Sequence, residues 1–386
     1  MYRLRENAMN QNIQNHRLVR SSEPQLSRYM NSKGARLGLP ISGSFELTPQ
    51  CNFDCKMCYV HMDKKKIIEL GKRELSVDEW LSIASDAIDE GLLFLLLTGG
   101  EPFVMKDFDR LYKELGKMGV MLSVNSNGSI LNKEWQKFLI EYPPTRLNIT
   151  LYGGSDETYE KLCGKPMFHE VLANIRALHE AGISVRLNAS ITPDNKDDIE
   201  NIYRISKEIG VHVKATTYMF PPVRVNGNVA GEAPARFTPE YAAKYMLKCQ
   251  EQYMSISQLE QMGNSRLREI GECINEEGQG VRCRAGRSSF WITWEGKMIP
   301  CGMMNIAGES VIEKGFKESW KSIYEQTKKI ILPAECAVCK YGDICNVCAA
   351  SCLAETGGYE EKPEYICRFV KEMHCLTKEK YGGGFK

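Results

Sequence analysis

Fifteen cysteines fall in this chain of 386 residues, and their spacing constrains the fold more than any other feature. Three stand at positions 51, 55 and 58. Cys163, Cys249 and Cys273 are scattered, and nine more crowd between Cys283 and Cys375. Cysteines make disulfides, metal sites or buried free thiols. Disulfides need an oxidising compartment, and the polar N-terminus MYRLRENAMNQNIQNHRLVR has no apolar signal core. The longest apolar run, Leu92–Leu97, is far too short to cross a bilayer. A cytoplasmic, reducing setting is therefore expected, where clustered soft thiolates suit iron–sulfur clusters or zinc. Fifty Lys and Arg against 49 Asp and Glu provide no basic field, so neither nucleic acid nor a membrane surface is expected as a partner.

From Ser44 onward, short apolar runs alternate with amphipathic helical stretches at roughly 30-residue intervals, the length of a βα unit. Six runs read as strands: Phe45–Thr48, Leu92–Leu97, Val120–Asn125, Leu147–Leu151, Val185–Ile191 and Val211–Thr217. Ser76-Val-Asp-Glu79 is a capping box opening a helix. Lys106–Met118, Lys133–Ile140, Phe168–Glu180 and Asn195–Ile209 read as further helices. Six such units with right-handed crossovers predict an α/β fold, a partial (β/α)6 barrel. Ligands of such folds sit at the C-terminal edge of the strands.

Residues 1–43 read as a polar arm, 44–240 as the barrel, 241–282 as a bridging helix and linker, and 283–386 as a small cysteine-rich domain. The Gly- and Pro-rich stretch Pro221–Pro239 has the length of a functional loop. Phe290–Trp294 and Lys297–Ile299 read as a hairpin. With few helical periods of its own, the tail calls for stapling by metal.

The first thiol set is Cys51-Asn-Phe-Asp-Cys55-Lys-Met-Cys58-Tyr59, directly after the first strand. Three thiolates can hold three irons of a [4Fe–4S] cluster and leave the fourth open to a ligand. A zinc site completed by His61 is the alternative. The C-x3-C-x2-C spacing followed by an aromatic resembles the signature of the radical S-adenosylmethionine (radical SAM) enzymes. That resemblance implies that the open iron chelates S-adenosylmethionine and that reductive cleavage yields a hydrogen-abstracting 5′-deoxyadenosyl radical. Other segments match in order. Gly99-Gly100-Glu101-Pro102 resembles the family's turn at the cofactor's methionyl ammonium. Ser126-Asn127-Gly128 resembles its cofactor-lining turn. Thr150-Leu-Tyr152-Gly153 resembles Ser-Leu-Asp-Gly in many relatives, so Thr150 is a cofactor-binding candidate while Tyr152 departs from the pattern. On the fifth strand Arg186 and Asn188 are candidates for the ribose or carboxylate, and at most one of them is expected to face into the barrel.

The tail reads Cys283, Gly296-x4-Cys301, then Cys336-x2-Cys339-x5-Cys345-x2-Cys348-x3-Cys352, Cys367 and Cys375. It resembles the SPASM extension of one radical SAM branch, whose cysteines ligate two auxiliary [4Fe–4S] clusters. By that resemblance Cys336, Cys339, Cys345 and Cys367 hold the outer cluster, and Cys283 and Cys301 the inner one. The branch's pattern wants three residues after Cys345, and this chain has two. Cys348, Cys352 or both therefore complete the inner set, with Cys273 as a further source. Cys375 reads as a spare. A zinc module is the competing reading, because paired C-x2-C motifs also build structural zinc sites.

The resemblance implies reductive cleavage of S-adenosylmethionine and hydrogen abstraction from a ribosomally made precursor peptide, giving a thioether, a carbon–carbon cross-link or another oxidation. Alternatives are formylglycine formation in a sulfatase, a small-molecule dehydrogenase or epimerase, and a non-catalytic iron–sulfur or zinc scaffold. Cys163 is a weak candidate for hydrogen-atom donation to a substrate radical. Expected partners are the peptide, a flavodoxin or ferredoxin as reductant, and a separate leader-binding protein, since some 40 residues before the barrel are too few for the winged-helix peptide-binding domain of some relatives.

Overall fold

A computed structural model describes residues 25–228, 230–233, 235–268 and 280–383. Among them, nine strands form one sheet in the order β6-β5-β4-β3-β2-β1-β7-β8-β9. The first six are β1 (Ser42–Glu46), β2 (Phe94–Thr98), β3 (Met121–Ser126), β4 (Arg146–Thr150), β5 (Val185–Ser190) and β6 (Val213–Thr216). All pair in parallel, each with its neighbour in sequence, and helices fill the crossovers. This is the expected partial (β/α)6 barrel. β6 is one edge, and the sheet does not close.

Parallel strands buried on one face by helices alternate strictly along their length. Phe45, Leu95, Leu97, Val124, Leu147, Ile149 and Leu187 are fully or almost fully buried beneath the helices. The intervening residues, Glu46, Thr98, Asn125, Asn148, Thr150, Arg186 and Asn188, form a polar inner face. Asn148 Nδ2 donates to Asn125 Oδ1 at 2.8 Å, and Asn125 Nδ2 to Thr98 Oγ1 at 3.4 Å, so the polar face is wired across three strands. Arg186 and Asn188 stand two residues apart and therefore lie on the same face, both half-buried. The expectation that at most one faces inward is corrected by the period of two.

The expected strands lie within three residues of the observed ones. β2 starts at Phe94 because Leu93 and Phe94 both donate to Ile41 O, just before β1. The capping box is present, with Ser76 Oγ and Glu79 reaching each other's backbone amides. The helix Phe168–Glu180 has the expected bounds. The sequence reading passed over the helix Asp156–Cys163, which Ser155 caps by accepting from Thr158 N at 3.2 Å.

Three strands close the other edge: β7 (Ser289–Ile292), β8 (Lys297–Ile299) and β9 (Glu309–Ser310). β7 and β8 form the expected hairpin. β7 also pairs in parallel with β1, with Gly43 opposite Phe290. A Cβ on Gly43 would stand 2.3 Å from the Phe290 ring, so only glycine admits this ring. The cysteine-rich tail thus continues the barrel's own sheet. Among the described residues no helix is long and apolar enough to cross a membrane.

Candidate active site

The first thiol set leaves the C-terminal end of β1, and the Gly99-Gly100 turn after β2 packs directly beneath it. Leu47 N donates to Thr98 O at 2.8 Å, Gly100 N to Thr48 O at 2.7 Å and Glu101 N to Gln50 O at 2.9 Å, prolonging strand pairing to the threshold of Cys51. A side chain is impossible there. A Cβ on Gly99, at φ +147°, would meet Thr48 O at 2.4 Å, and one on Gly100 would meet Gln50 O at 2.2 Å.

Glu101 is fully buried. Oε1 accepts from Ser126 Oγ at 3.0 Å and Phe103 N at 3.3 Å, and Oε2 accepts from Asn127 N at 2.7 Å. A carboxylate has about four acceptor sites, so one is left for a ligand. Burial pushes its pKa up to about 7 against these bonds. Asn127, held by that bond, sends Nδ2 to Asn52 Oδ1 at 2.8 Å and to Cys51 Sγ at 3.6 Å. Glu101, Ser126, Asn127 and Cys51 are therefore one connected network.

The sulfurs of this loop are served by hydrogen-bond donors. Phe53 N points at Cys51 Sγ (3.4 Å) and His61 N at Cys58 Sγ (3.2 Å). Burial pushes the Cys51 thiol up to about 12, so without a metal it stays protonated. A coordinating cation reverses that logic and takes the thiolate outright. Among the described residues no three His, Cys, Asp or Glu side chains could hold one metal ion. The His61 ring faces Asp54 instead, at 3.3 Å. Sulfurs grouped in one loop, yet not converging on a single ion, fit a cluster that takes one thiolate per iron.

Two features at the loop escaped the sequence reading. Glu46, at the end of β1, is buried and forms a bidentate pair with Arg224 (2.6 and 2.5 Å). Glu46 also accepts from Trp291 Nε1 at 2.9 Å, and Arg224 donates to Gly302 O at 3.1 Å. The Arg224 guanidinium lies 6.0 Å from the Tyr59 ring. Arg224 comes from the short helix Val223–Asn226 within the Gly- and Pro-rich loop. The same loop sends Arg236 to Glu355 (2.5 and 3.0 Å), and Arg236 lies 4.0 Å over the Tyr365 ring. One loop therefore locks barrel and tail together twice. The available signal was a buried-strand acid and two arginines in a loop otherwise made of turn residues.

In the tail, Cys336, Cys339, Cys345 and Cys367 line one cavity of about 200 Å³, together with Arg282, Lys362 and Lys371. Each of Cys336 and Cys345 is pushed up to about 11, by burial first and then by the neighbouring thiols. Cys301 is raised by burial and by Cys348 and Cys283, which puts these three together as a second group. The backbone amides of Ala285, Met303 and Val347 act against burial and lower the Cys283, Cys301 and Cys345 thiols. Cys348 caps the helix Ala349–Thr356 and accepts from Ser351 N at 3.4 Å. Cys352 lies inside that helix, fully buried with Met304, Leu332 and Leu353, and burial pushes it up to about 12. Cys249 is buried and Cys375 is exposed, while Cys273 lies outside the described residues.

Residues 45–205 match the family described as the Radical SAM superfamily. The chain carries a radical SAM domain. S-adenosylmethionine and a [4Fe–4S] cluster are accordingly its cofactors. It is 26% identical over 343 residues to the AdoMet-dependent heme synthase of Methanosarcina barkeri, covering 84% of this chain and 96% of that protein. A shorter match, 25% over 171 residues, relates it to a probable GTP 3′,8-cyclase of Pyrobaculum aerophilum, covering 43% of this chain and 54% of that one. Among solved structures, Streptococcus suis SuiB bound to its precursor peptide SuiA superposes with a TM-score of 0.65 at 17% identity, over 89% of this chain and 79% of SuiB. Native anSMEcpe with AdoMet and the Cp18Cys peptide gives 0.63 at 17% identity, over 89% and 98%. These likenesses establish that barrel and tail together form a known architecture.

Proposed function

We propose that this radical SAM enzyme oxidises a ribosomally made precursor peptide, forming a thioether, a carbon–carbon cross-link or a related bond. The observation that supports this most is the tail fused into the barrel sheet, an architecture shared over most of the chain with two proteins solved with peptides bound. Cys51, Cys55 and Cys58 would hold the cofactor-binding cluster. Cys336, Cys339, Cys345 and Cys367 would hold an outer cluster, and Cys283, Cys301 and Cys348 an inner one. Cys348 is preferred to Cys352 because its sulfur faces a backbone donor at a helix start, whereas Cys352 packs into the apolar core. When bound, these groups supply the hydrogen-abstracting radical at the barrel edge and one-electron chemistry in the tail.

The chain's own residues bind and orient. Gly99 and Gly100 let backbone approach closely, and Glu101 would pair with the cofactor's ammonium through its remaining acceptor site. Thr150 and Asn188, paired in register across β4 and β5, and Arg186 on the same face would contact its carboxylate or ribose. Only ionised Glu101 attracts an ammonium, and its ionised fraction rises through pH 7. S-adenosylmethionine affinity should therefore rise as pH approaches about 7 and level off above it. Glu101→Gln should bind more weakly and lose that rise, as followed by titration calorimetry under argon.

A second reading is favoured by the near full-length similarity to a heme synthase: oxidation of a heme precursor on the same site. One experiment separates the two. Reduced, anaerobically reconstituted enzyme is given S-adenosylmethionine with either a short peptide encoded beside its own gene or an iron porphyrin precursor. The peptide reading expects loss of hydrogen from the peptide by mass spectrometry, matched by 5′-deoxyadenosine. Turnover of the porphyrin alone would overturn it.

A further inference from the structure

The short segment Thr48-Pro49-Gln50, between β1 and Cys51, carries the acceptors on which the Gly99-Gly100-Glu101 turn hangs. Gly100 N donates to Thr48 O at 2.7 Å and Glu101 N to Gln50 O at 2.9 Å. Met62 N returns to Pro49 O at 3.1 Å and closes the thiol loop onto the same segment. The far half of that loop has other anchors, Asp54 N on Cys163 O at 3.0 Å and Lys56 N on Leu162 O at 3.1 Å, and Cys163 is wholly buried. The near half leans on Glu74, from the link between the helices Lys64–Glu69 and Val77–Asp89. Glu74 Oε1 accepts from the Thr48 hydroxyl, and both its oxygens accept from Gln50 Nε2 at 3.0 Å. Thr48 Oγ1 in turn accepts from Gln50 N at 3.0 Å. Thr48 is buried, where a donor deprived of its acceptor is costly. The neighbouring Arg73 pairs with Glu79 at 2.7 Å, so the Glu74 carboxylate is spent on these neutral donors. The link is itself fixed from behind by the tail hairpin: Leu75 N donates to Trp294 O at 3.2 Å, and Lys72 pairs with Glu295 at 2.8 Å.

We propose that Glu74 is a positioning residue for S-adenosylmethionine. By holding the Thr48 and Gln50 side chains it fixes the two carbonyls that seat the Gly99-Gly100-Glu101 turn. It touches no reacting atom and acts through the backbone. Its effect falls on binding, because the turn would meet the cofactor's ammonium equally in the ground state and the transition state, and such uniform interactions change KM rather than kcat. The same link joins the tail hairpin to the turn, so the tail supports cofactor binding through Glu74 without contacting the cofactor.

The inference rests on the reading that this turn meets the cofactor, so Glu101→Gln is measured beside the test variants. Full affinity in Glu101→Gln overturns that reading separately. The test is titration calorimetry with S-adenosylmethionine under argon on reconstituted enzyme, with iron content, urea midpoints and 5′-deoxyadenosine kinetics from the same preparations. Glu74→Ala should keep its iron and bind about tenfold more weakly, the loss of roughly one hydrogen bond to a charged group. The weakening should appear in KM and not in kcat. Glu74→Gln, whose carbonyl still accepts from Thr48, should recover most of the affinity. Wild-type affinity in Glu74→Ala overturns the proposal, whether or not its urea midpoint falls, since a lower midpoint alone would mean a merely structural role. A Glu74→Gln as weak as Glu74→Ala also overturns it. Should Glu74→Ala take up less iron, Thr48→Val, which removes one partner of the same carboxylate, takes its place, and unchanged affinity there overturns the proposal.

Discussion

Cys51→Ala is expected to make no 5′-deoxyadenosine above background and to carry about 8 irons per chain where the wild type carries about 12. The effect is large because each iron of the cofactor-binding cluster takes a single protein thiolate, so no neighbouring sulfur compensates. The fold should survive. The loop is anchored independently by Met62 N on Pro49 O (3.1 Å), Asp54 N on Cys163 O and Lys56 N on Leu162 O. Iron analysis and chromatography of the nucleoside product, run on the same anaerobic preparation, check both halves. Wild-type product formation by Cys51→Ala would sink the assignment of this loop. A fall in iron much beyond one cluster would show that the tail's thiol sets depend on it.

Arg224→Met should destabilise the protein by about 3–5 kcal/mol, because it strands Glu46 in the interior without its countercharge. Glu46 is 1% exposed, and its remaining donor, Trp291 Nε1, is neutral. Removing both charges in Glu46→Gln with Arg224→Met should recover much of that loss, since the penalty lies in the orphaned carboxylate and not in the missing pair. Urea midpoints measured anaerobically at constant iron content decide it. Equal loss in the single and double variants would mean that Arg224 acts through packing on Tyr59 and Gly302.

How far the sequence could be read depended on whether a feature was local. The strands announced themselves because Leu92–Leu97 is apolar over its whole length and its counterparts mix apolar and polar residues in short runs between helical stretches, and the caps because Ser76 and Glu79 stand three residues apart. The thiol loop was legible for the same reason: its three sulfurs lie within eight residues. The partial barrel followed from the repetition of these units. What stayed hidden were contacts closed over long separations. Nothing near Glu46 in sequence announces Arg224, 178 residues away, or Trp291, 245 away. The proposed preference for Cys348 over Cys352 likewise rests on one sulfur standing at a helix start and the other in its buried interior. Asn125 and Asn148 went unremarked because a polar residue inside a strand gains meaning only when the neighbouring strands are set in register beside it.

The pairing of Gly43 with Phe290 bears on how such enzymes can diversify. A tail acquired from a relative would have to bring an aromatic ring matched to a glycine in the recipient's first strand, and a tryptophan placed to meet its buried glutamate. Barrel and tail are thus tied by the fit of this ring as well as by hydrogen bonds. Exchanging whole tails among homologues should succeed only where both partners of that seam travel together.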